Sequence, residues 1–201
     1  MTVHANRAQP KTSALPARLF AWFVHAYTAA GALLAFAGTL AVFDGRYRDA
    51  FLLMVIATIV DASDGVLARL ARVKAVLPGF DGARLDDIVD YLTFVFLPIL
   101  LLYHAGNLPA GWAWAPVGAV LLSSAYGFAS TDAKTEDYFF TGFPSYWNIV
   151  ALYLHAAAFS PVINASVLLA LAGLKPIEGR ALRCSCKVPI PPHGPWQSSR
   201  R

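Results

Sequence analysis

Residues 50–70 read AFLLMVIATIVDASDGVLARL, an apolar stretch whose acidic residues, Asp61 and Asp64, lie only in its second half. A helix that spans a lipid bilayer needs about 20 mostly apolar residues, which matches the length of this stretch. Charged groups inside a membrane helix are costly and usually serve a function. The stretch therefore predicts a spanning helix with a functional group at one end.

The next apolar stretch, residues 85–104, has the opposite arrangement and reads LDDIVDYLTFVFLPILLLYH. Its acidic residues lie only in its first third, and a short connection separates it from the preceding stretch. Two consecutive helices with a short connection run antiparallel, so the end of one lies beside the start of the other. The pattern predicts that both acidic helix ends lie at the same depth.

Other apolar stretches flank this pair. A first helix is expected over residues 19–42, a fourth over residues 112–129, and a fifth from about Pro144 to Pro161. A sixth stretch, residues 162–174, is too short to span a membrane by itself. Together they predict an all-α, polytopic transmembrane bundle of five to six spanning helices.

The composition supports this class. Hydrophobic residues make up 57% of the 201 residues and charged residues 14%, whereas soluble domains have about 25% charged residues. We divide the chain into an N-terminal segment (residues 1–18), a transmembrane domain (19–175) and a polar tail (176–201). The tail lacks periodicity, and we expect it to be disordered. The bilayer is the expected partner, and no nucleic acid is expected.

The placement of basic residues predicts the orientation, because they concentrate in the cytoplasmic connections of membrane proteins. A cytoplasmic N-terminus puts most of them inside and leaves only Arg46 and Arg48 outside, both accompanied by acids. The residues placed inside are Arg7, Lys11, Arg18, Arg69, Arg72, Lys74, Arg84 and Lys134. We therefore expect a multi-pass membrane protein with its acidic helix ends facing the cytoplasm.

The acidic residues share helix faces with small residues. Asp61, Asp64, Gly65 and Ala68 follow the spacing i, i+3, i+4, i+7 of one helix face, and Gly82, Asp86 and Asp90 follow i, i+4, i+8. Four carboxylates, those of Asp61, Asp64, Asp86 and Asp90, can therefore converge. Asp87 points about 100° away from the face of its neighbour and is expected at the rim.

Four converging carboxylates would repel one another unless a cation lies between them. Oxygen ligands suit hard divalent ions, so we expect Mg²⁺ or Mn²⁺, with room for two ions. For any single aspartate, a polar side chain reaching the membrane surface is an equally good interpretation. The matched spacing of four aspartates, with glycine and alanine between them, favours a metal site.

These residues resemble the signature of the CDP-alcohol phosphatidyltransferase family, D-x-x-D-G-x-x-A-R followed by G-x-x-x-D-x-x-x-D. Asp61, Asp64, Gly65, Ala68 and Arg69 match its first half, and Gly82, Asp86 and Asp90 match its second half. Between the halves this chain has twelve residues, 70–81, where most of the family has eight.

The longer spacer resembles the bacterial phosphatidylcholine synthase branch, as do residues 25–31 (HAYTAAG), 84–92 (RLDDIVDYL) and 132–148 (DAKTEDYFFTGFPSYWN). The resemblance covers roughly residues 18–172. It stops in the sixth stretch, where the family continues with further spanning helices. We therefore expect the tail to reflect a truncated or out-of-frame end.

The resemblance implies an enzyme that transfers a phosphatidyl group from CDP-diacylglycerol to choline and releases CMP. It implies that Asp61, Asp64, Asp86 and Asp90 are metal ligands, and that Asp90 is also the catalytic base that takes the proton of the acceptor hydroxyl. It further implies that the CDP moiety contacts Gly65, Ala68, Arg69 and Gly82.

A quaternary ammonium is usually held over aromatic faces. Tyr138, Tyr146 and Trp147 follow the fourth helix and are our candidates for choline binding. Aromatic residues at a membrane interface are common without any ligand, and that interpretation stays open.

Three other functions stay open. The acceptor could be serine, glycerol 3-phosphate or inositol phosphate, since Arg72, Lys74 and Arg84 could hold a phosphorylated acceptor. The chain could be an inactive truncated homologue, although its four aspartates are intact. A transporter is disfavoured because no acid lies at mid-membrane. A second copy of the chain, in a homodimer, is the one protein partner considered.

Overall fold

The computed structural model describes residues 15–129 and 146–181, with side chains up to residue 173. All regular structure in these two ranges is helical, which confirms the predicted all-α class. The elements are α1 (Leu15–Phe43), α2 (Tyr47–Leu70), α3 (Val73–Val76), α4 (Gly82–Asp90), a π-helical segment (Tyr91–Phe96), α5 (Leu97–His104), α6 (Trp114–Ala129), α7 (Trp147–Ala156) and α8 (Pro161–Ala181).

A tight turn makes α1 and α2 an antiparallel hairpin. Gly45 takes a positive φ of 71° there, a conformation that only glycine adopts at low cost. Arg46 then donates to Asp44 at 3.0 Å and to Asp49 at 2.9 Å, and these contacts raise the pKa of its guanidinium. The turn returns α2 along α1, so the acidic end of α2 lies beside the N-terminal half of α1.

Helix α1 approaches the third long helical stretch closely through two glycines. A Cβ added at Gly31 would overlap Val89 Cγ1, and one added at Gly38 would lie 2.6 Å from Leu97 Cδ2. Small residues at helix interfaces in membranes permit this kind of close packing. The two glycines, which lie seven residues apart on one face of α1, thus let α4 and α5 pack closely against this helix.

The third long stretch is helical from Gly82 to His104, as predicted, but it is not a uniform α-helix. Six residues, Tyr91–Phe96, form a π-helical segment directly after Asp90. Pro98 lies at the start of α5, and a proline removes one N–H from the helical ladder and crowds the carbonyl four residues earlier. π segments inside helices occur frequently at functional sites.

Helices α5 to α8 share a buried core. Trp147, at the start of α7, is fully buried in it together with Val120, Leu102 and Leu168. Its indole N–H donates to the buried Ser124 hydroxyl of α6 at 3.0 Å. This hydrogen bond satisfies the one polar group of a large side chain that is otherwise surrounded by apolar residues.

Two helices, α1 and α2, are long and apolar enough to cross a membrane, and shorter apolar helices cover Trp114–Ala129 and Pro161–Gly173. Large apolar side chains stand on the outer faces of α1 and α2; Leu33, for example, is 72% exposed and Ile59 61%. Five to six spans and a cytoplasmic N-terminus stay predictions.

Most predicted helix ends lie within a few residues of those observed, and the last two helices differ more. Helix α7, Trp147–Ala156, ends five residues before the predicted Pro161, and the predicted start at Pro144 lies outside the described residues. Helix α8 continues past the predicted end of the sixth stretch at residue 174, to Ala181. The predicted polar tail therefore begins within a helix, and its residues from 182 on lie outside the described part of the chain.

Candidate metal centre

Three of the four predicted carboxylates come together where α2 and α4 lie side by side. Asp61 of α2 and Asp86 and Asp90 of α4 each offer one carboxylate oxygen, and the three oxygens lie within 4.8 Å of one another. All three residues are partly buried. The helical spacings in the sequence predicted this convergence, and the structure brings these three side chains into one site.

The connection between α2 and α4 sets their relative height. Arg72, in the left-handed region at φ 48°, starts the short helix α3, and Val73 and Leu77 are buried against the beginning of α1. Asp81 then caps α4 by accepting from the Arg84 amide N–H at 3.3 Å. An N-cap of this kind satisfies an amide that the helix leaves without an intrahelical partner.

Asp64, the fourth predicted ligand, is buried and lines the same small cavity of about 10 Å³ as the other three aspartates. It does not belong to the set within 4.8 Å. Its Oδ2 accepts a hydrogen bond of 2.7 Å from the Thr28 hydroxyl of α1. A carboxylate accepts strongly from a hydroxyl, so α1 holds this side chain in one orientation.

The residues present fit a hard divalent cation. Asp90 Oδ1 is buried and has no hydrogen-bond partner among the described residues. A buried carboxylate oxygen without a partner is costly, and three carboxylates at this separation repel one another. The cavity is about as large as one water molecule or small ion requires. Asp61, Asp64, Asp86 and Asp90 are the residues that could hold such an ion through oxygen atoms alone.

The predicted CDP contacts lie at the edge of this site. Among the described residues, a Cβ added at Gly65 would have one neighbouring side-chain atom within 4 Å, Arg69 Nη1 at 3.7 Å, so the backbone there is accessible. Arg69 is exposed and Ala68 partly buried. At Gly82 a Cβ would lie 2.7 Å from His25 Cε1, so the missing side chain makes room for the imidazole of α1.

The predicted choline ligands have different surroundings. Tyr138 lies outside the described residues. Tyr146 is exposed, and its ring centroid lies 5.8 Å from that of Phe94. Trp147 is fully buried in the helix core, so its ring faces pack against neighbouring side chains. The hydrophobic pattern could not distinguish this core tryptophan from an interfacial one.

An apolar groove of about 620 Å³ runs along α2 beside α7. It extends from Arg48 at one end of α2 to Thr58 and Ile59, within one turn of Asp61. At that end Asn148 of α7 donates to the Thr58 hydroxyl at 3.2 Å, and Tyr146 lines the wall. Helical rise puts Arg48 roughly 20 Å from Asp61 along the axis.

Sequence reasoning missed the contribution of α1. Tyr27 and Thr28 contact Ser63 and Asp64 through hydrogen bonds of 2.8 and 2.7 Å. The one available signal was their place in the HAYTAAG stretch, which resembles the synthase branch. Periodicity alone predicts which residues share a face of one helix, but not which face of another helix lies opposite.

The chain is similar in sequence to several bacterial proteins that share one name, phosphatidylcholine synthase. The chain is 46% identical over 152 residues to a phosphatidylcholine synthase of Legionella pneumophila, which covers 75% of this chain and 59% of that protein. It is 42% identical to the phosphatidylcholine synthase of Pseudomonas aeruginosa, covering 77% and 65%. It is 38% identical to that of Agrobacterium fabrum over 175 residues, covering 83% and 73%.

The chain thus spans less than two thirds of the length of the first two relatives. No family model matches it, and no solved structure matches it.

Proposed function

Because this chain belongs to the phosphatidylcholine synthase family, we propose that it transfers the phosphatidyl group of CDP-diacylglycerol to choline and releases CMP. The observation that carries the proposal is the convergence of Asp61, Asp86 and Asp90 within 4.8 Å, beside the buried Asp64. These are the motif positions that resemble the CDP-alcohol phosphatidyltransferase signature, to which we also assign the chain.

Asp61, Asp64, Asp86 and Asp90 are the proposed ligands of Mg²⁺ or Mn²⁺. When bound, the metal neutralises negative charge on the phosphoryl oxygens of the CDP-lipid. The protein supplies the remainder of the site: a rigid pair of helix ends, fixed in height by the buried α3 connection, and acids that are already close together. Preorganised charge of this kind requires little rearrangement during the reaction.

Asp90 is the proposed general base. Its Oδ1 is buried and has no hydrogen-bond partner in the part of the chain that the structure describes, so it can accept a proton from the choline hydroxyl. The hydroxyl oxygen then forms a bond to the phosphorus that bears diacylglycerol, and the bond from that phosphorus to the CMP oxygen breaks. The π segment starts at the next residue, Tyr91, and sets the direction in which the helix continues past Asp90.

Arg69 and Gly65 are proposed to contact the cytidine diphosphate. The space beside Gly65 lets a nucleotide approach the backbone, and the exposed Arg69 can pair with a phosphate oxygen there. Ala68 extends the same face. Gly82 contributes indirectly in this proposal, because its missing side chain accommodates His25 at the start of α4.

The apolar groove beside α2 supports a lipid substrate. It begins within one turn of Asp61 and follows α2 from Ile59 to Arg48, roughly 16 Å by helical rise, so a lipid whose phosphate lies at the aspartates can place an acyl chain along α2. The exposed apolar faces of α1 and α2 support insertion in a bilayer, which we place at the bacterial inner membrane with the aspartates toward the cytoplasm.

Choline recognition is proposed to involve Tyr146, whose exposed ring lies at the acidic end of the groove, together with Tyr138. The burial of Trp147 makes that residue a support of α7 in this proposal. A homodimer stays a prediction.

The proposal is tested by supplying the purified chain with CDP-diacylglycerol, Mn²⁺ and labelled choline, serine or glycerol 3-phosphate in turn. We expect label in lipid only from choline, with release of one CMP per lipid. Label from serine or glycerol 3-phosphate instead would transfer the assignment to another acceptor. No label from any acceptor, with CDP-diacylglycerol still bound, would identify an inactive homologue.

A further inference from the structure

We infer that Thr28 is a positioning residue that holds the Asp64 carboxylate and thereby sets the metal affinity of the site. The inference rests on the proposed function in one respect only, namely that the aspartates bind a divalent cation. It assigns to α1, which carries none of the motif residues, a direct effect on the metal centre.

The contact between Thr28 and Asp64 is short and buried. The hydroxyl donates to Asp64 Oδ2 at 2.7 Å, and both residues are 7% exposed. The same hydroxyl lies 3.4 Å from the Val24 carbonyl, a much longer contact. A hydroxyl has one proton to donate, and the nearby Asp64 carboxylate is a stronger acceptor than the more distant Val24 carbonyl. The Thr28 hydroxyl therefore donates its hydrogen bond to Asp64.

This hydrogen bond orients Asp64. It uses one of the roughly four lone pairs of the carboxylate, so the others can still face a cation in the cavity that Asp64 shares with the other three acids. It also restricts the side-chain torsions of Asp64, so that the carboxylate stays against this cavity. Hydrogen-bond partners of metal ligands orient those ligands, and losing one typically lowers metal affinity by about 10- to 100-fold.

The chain offers a matched control one residue away. Tyr27 bonds to Ser63 at 2.8 Å across the same helix pair. The Ser63 hydroxyl also lies 2.8 Å from the Ile59 carbonyl, so it donates to the backbone and accepts from Tyr27. Tyr27→Phe thus removes a hydrogen bond between α1 and α2 without touching a carboxylate. If Thr28 acted only in helix packing, Tyr27→Phe would weaken Mn²⁺ binding by as much as Thr28→Val.

The test is a Mn²⁺ titration of the detergent-purified full chain, without lipid substrate, in which free Mn²⁺ is measured by electron paramagnetic resonance. For Thr28→Val, which keeps the shape and loses the hydroxyl, we expect Mn²⁺ to bind about 10- to 100-fold more weakly. Thr28→Ser keeps the hydroxyl and should bind within about threefold of the wild type, as should Tyr27→Phe.

Each result is decisive. The inference is overturned if Thr28→Val binds Mn²⁺ like the wild type, if Tyr27→Phe loses as much affinity, if Thr28→Ser fails to restore binding, or if the wild type binds none. Thermal unfolding checks that each variant is folded, and Thr28→Ala replaces Thr28→Val if the latter does not fold. A wild type that transfers no label from any acceptor, yet shows this pattern of Mn²⁺ binding, would remove the proposed activity and keep the inference.

Discussion

Replacing Gly31 by alanine tests how tightly α1 holds the helix that carries Asp86 and Asp90. The added methyl would overlap Cγ1 of Val89, a buried residue next to Asp90. Valine is β-branched and has one strongly preferred side-chain rotamer in a helix, so it cannot turn away. The clash between the added methyl and Val89 can be relieved only if α1 and α4 move apart.

The expected magnitude follows from two opposing effects. Overpacking a tight interface costs about 1–3 kcal/mol. We expect a cost near the upper end of this range, because the Val89 side chain cannot rotate away from the added methyl. Alanine in place of glycine in a helix gains about 1 kcal/mol. The net loss for Gly31→Ala is about 2 kcal/mol, which lowers the melting temperature by roughly 4–8 °C for a chain of this size.

Two other glycines calibrate the result. At Gly38 the added methyl meets the end of the Leu97 side chain at 2.6 Å, and this more flexible side chain can adjust, so Gly38→Ala should cost less. At Gly118 in α6 an added Cβ would meet no atom of the described residues within 4 Å, and Gly118→Ala should raise the melting temperature by roughly 2–4 °C.

The assay is thermal unfolding in detergent, and Gly31→Ala combined with Val89→Ala should recover much of the loss, because the second change removes the clashing atom. If Gly31→Ala raises the melting temperature as Gly118→Ala does, α1 does not approach α4 as closely as described, and the reasoning is refuted.

Two further predictions concern the base and the core. With Mn²⁺ at a concentration that saturates the variant, Asp90→Asn should reduce choline transfer by at least about 10²-fold, since the amide cannot take the hydroxyl proton, while binding of CDP-diacylglycerol stays within a few-fold; equal losses of binding and turnover would contradict the base role. Trp147→Phe should lower the free energy of unfolding by about 1–3 kcal/mol, because it leaves the buried Ser124 hydroxyl without its partner and opens a cavity. Trp114→Phe, at a position that is 73% exposed, should change it by less than about 0.5 kcal/mol, and similar losses for both variants would argue against the core role of Trp147.

The positions of the acids within their helices could be predicted from the sequence. The spacing of Asp61, Asp86 and Asp90 places each on a definite face, and the short connection brings the faces together. Their convergence in the structure agrees with this reasoning, whereas metal binding itself stays a prediction. The separate orientation of Asp64 could not be predicted, because it depends on how α1 is rotated against α2, which brings Thr28 within 2.7 Å.

Local deviations within helices could not be predicted from the sequence either. Residues 91–102 are almost continuously apolar, and that pattern gives no sign that Tyr91–Phe96 is π-helical; Pro98 was the one local hint. Trp147 follows the fourth helix among other aromatic residues, so the sequence predicted choline binding there, with an interfacial position as the alternative. The structure buries it because α7 packs against α6, a tertiary contact with no signature in single-chain periodicity.

The central claim is that the acidic ends of α2 and α4 form one metal site, and Mn²⁺ affinity of single aspartate variants tests it most directly. Asp61→Asn and Asp86→Asn, one on each helix, should each weaken Mn²⁺ binding to the purified chain by at least about tenfold. Asp87→Asn, which alters the acid next in sequence but outside the set within 4.8 Å, should bind within about threefold of the wild type. Equal Mn²⁺ affinity in all three variants and the wild type would contradict the account.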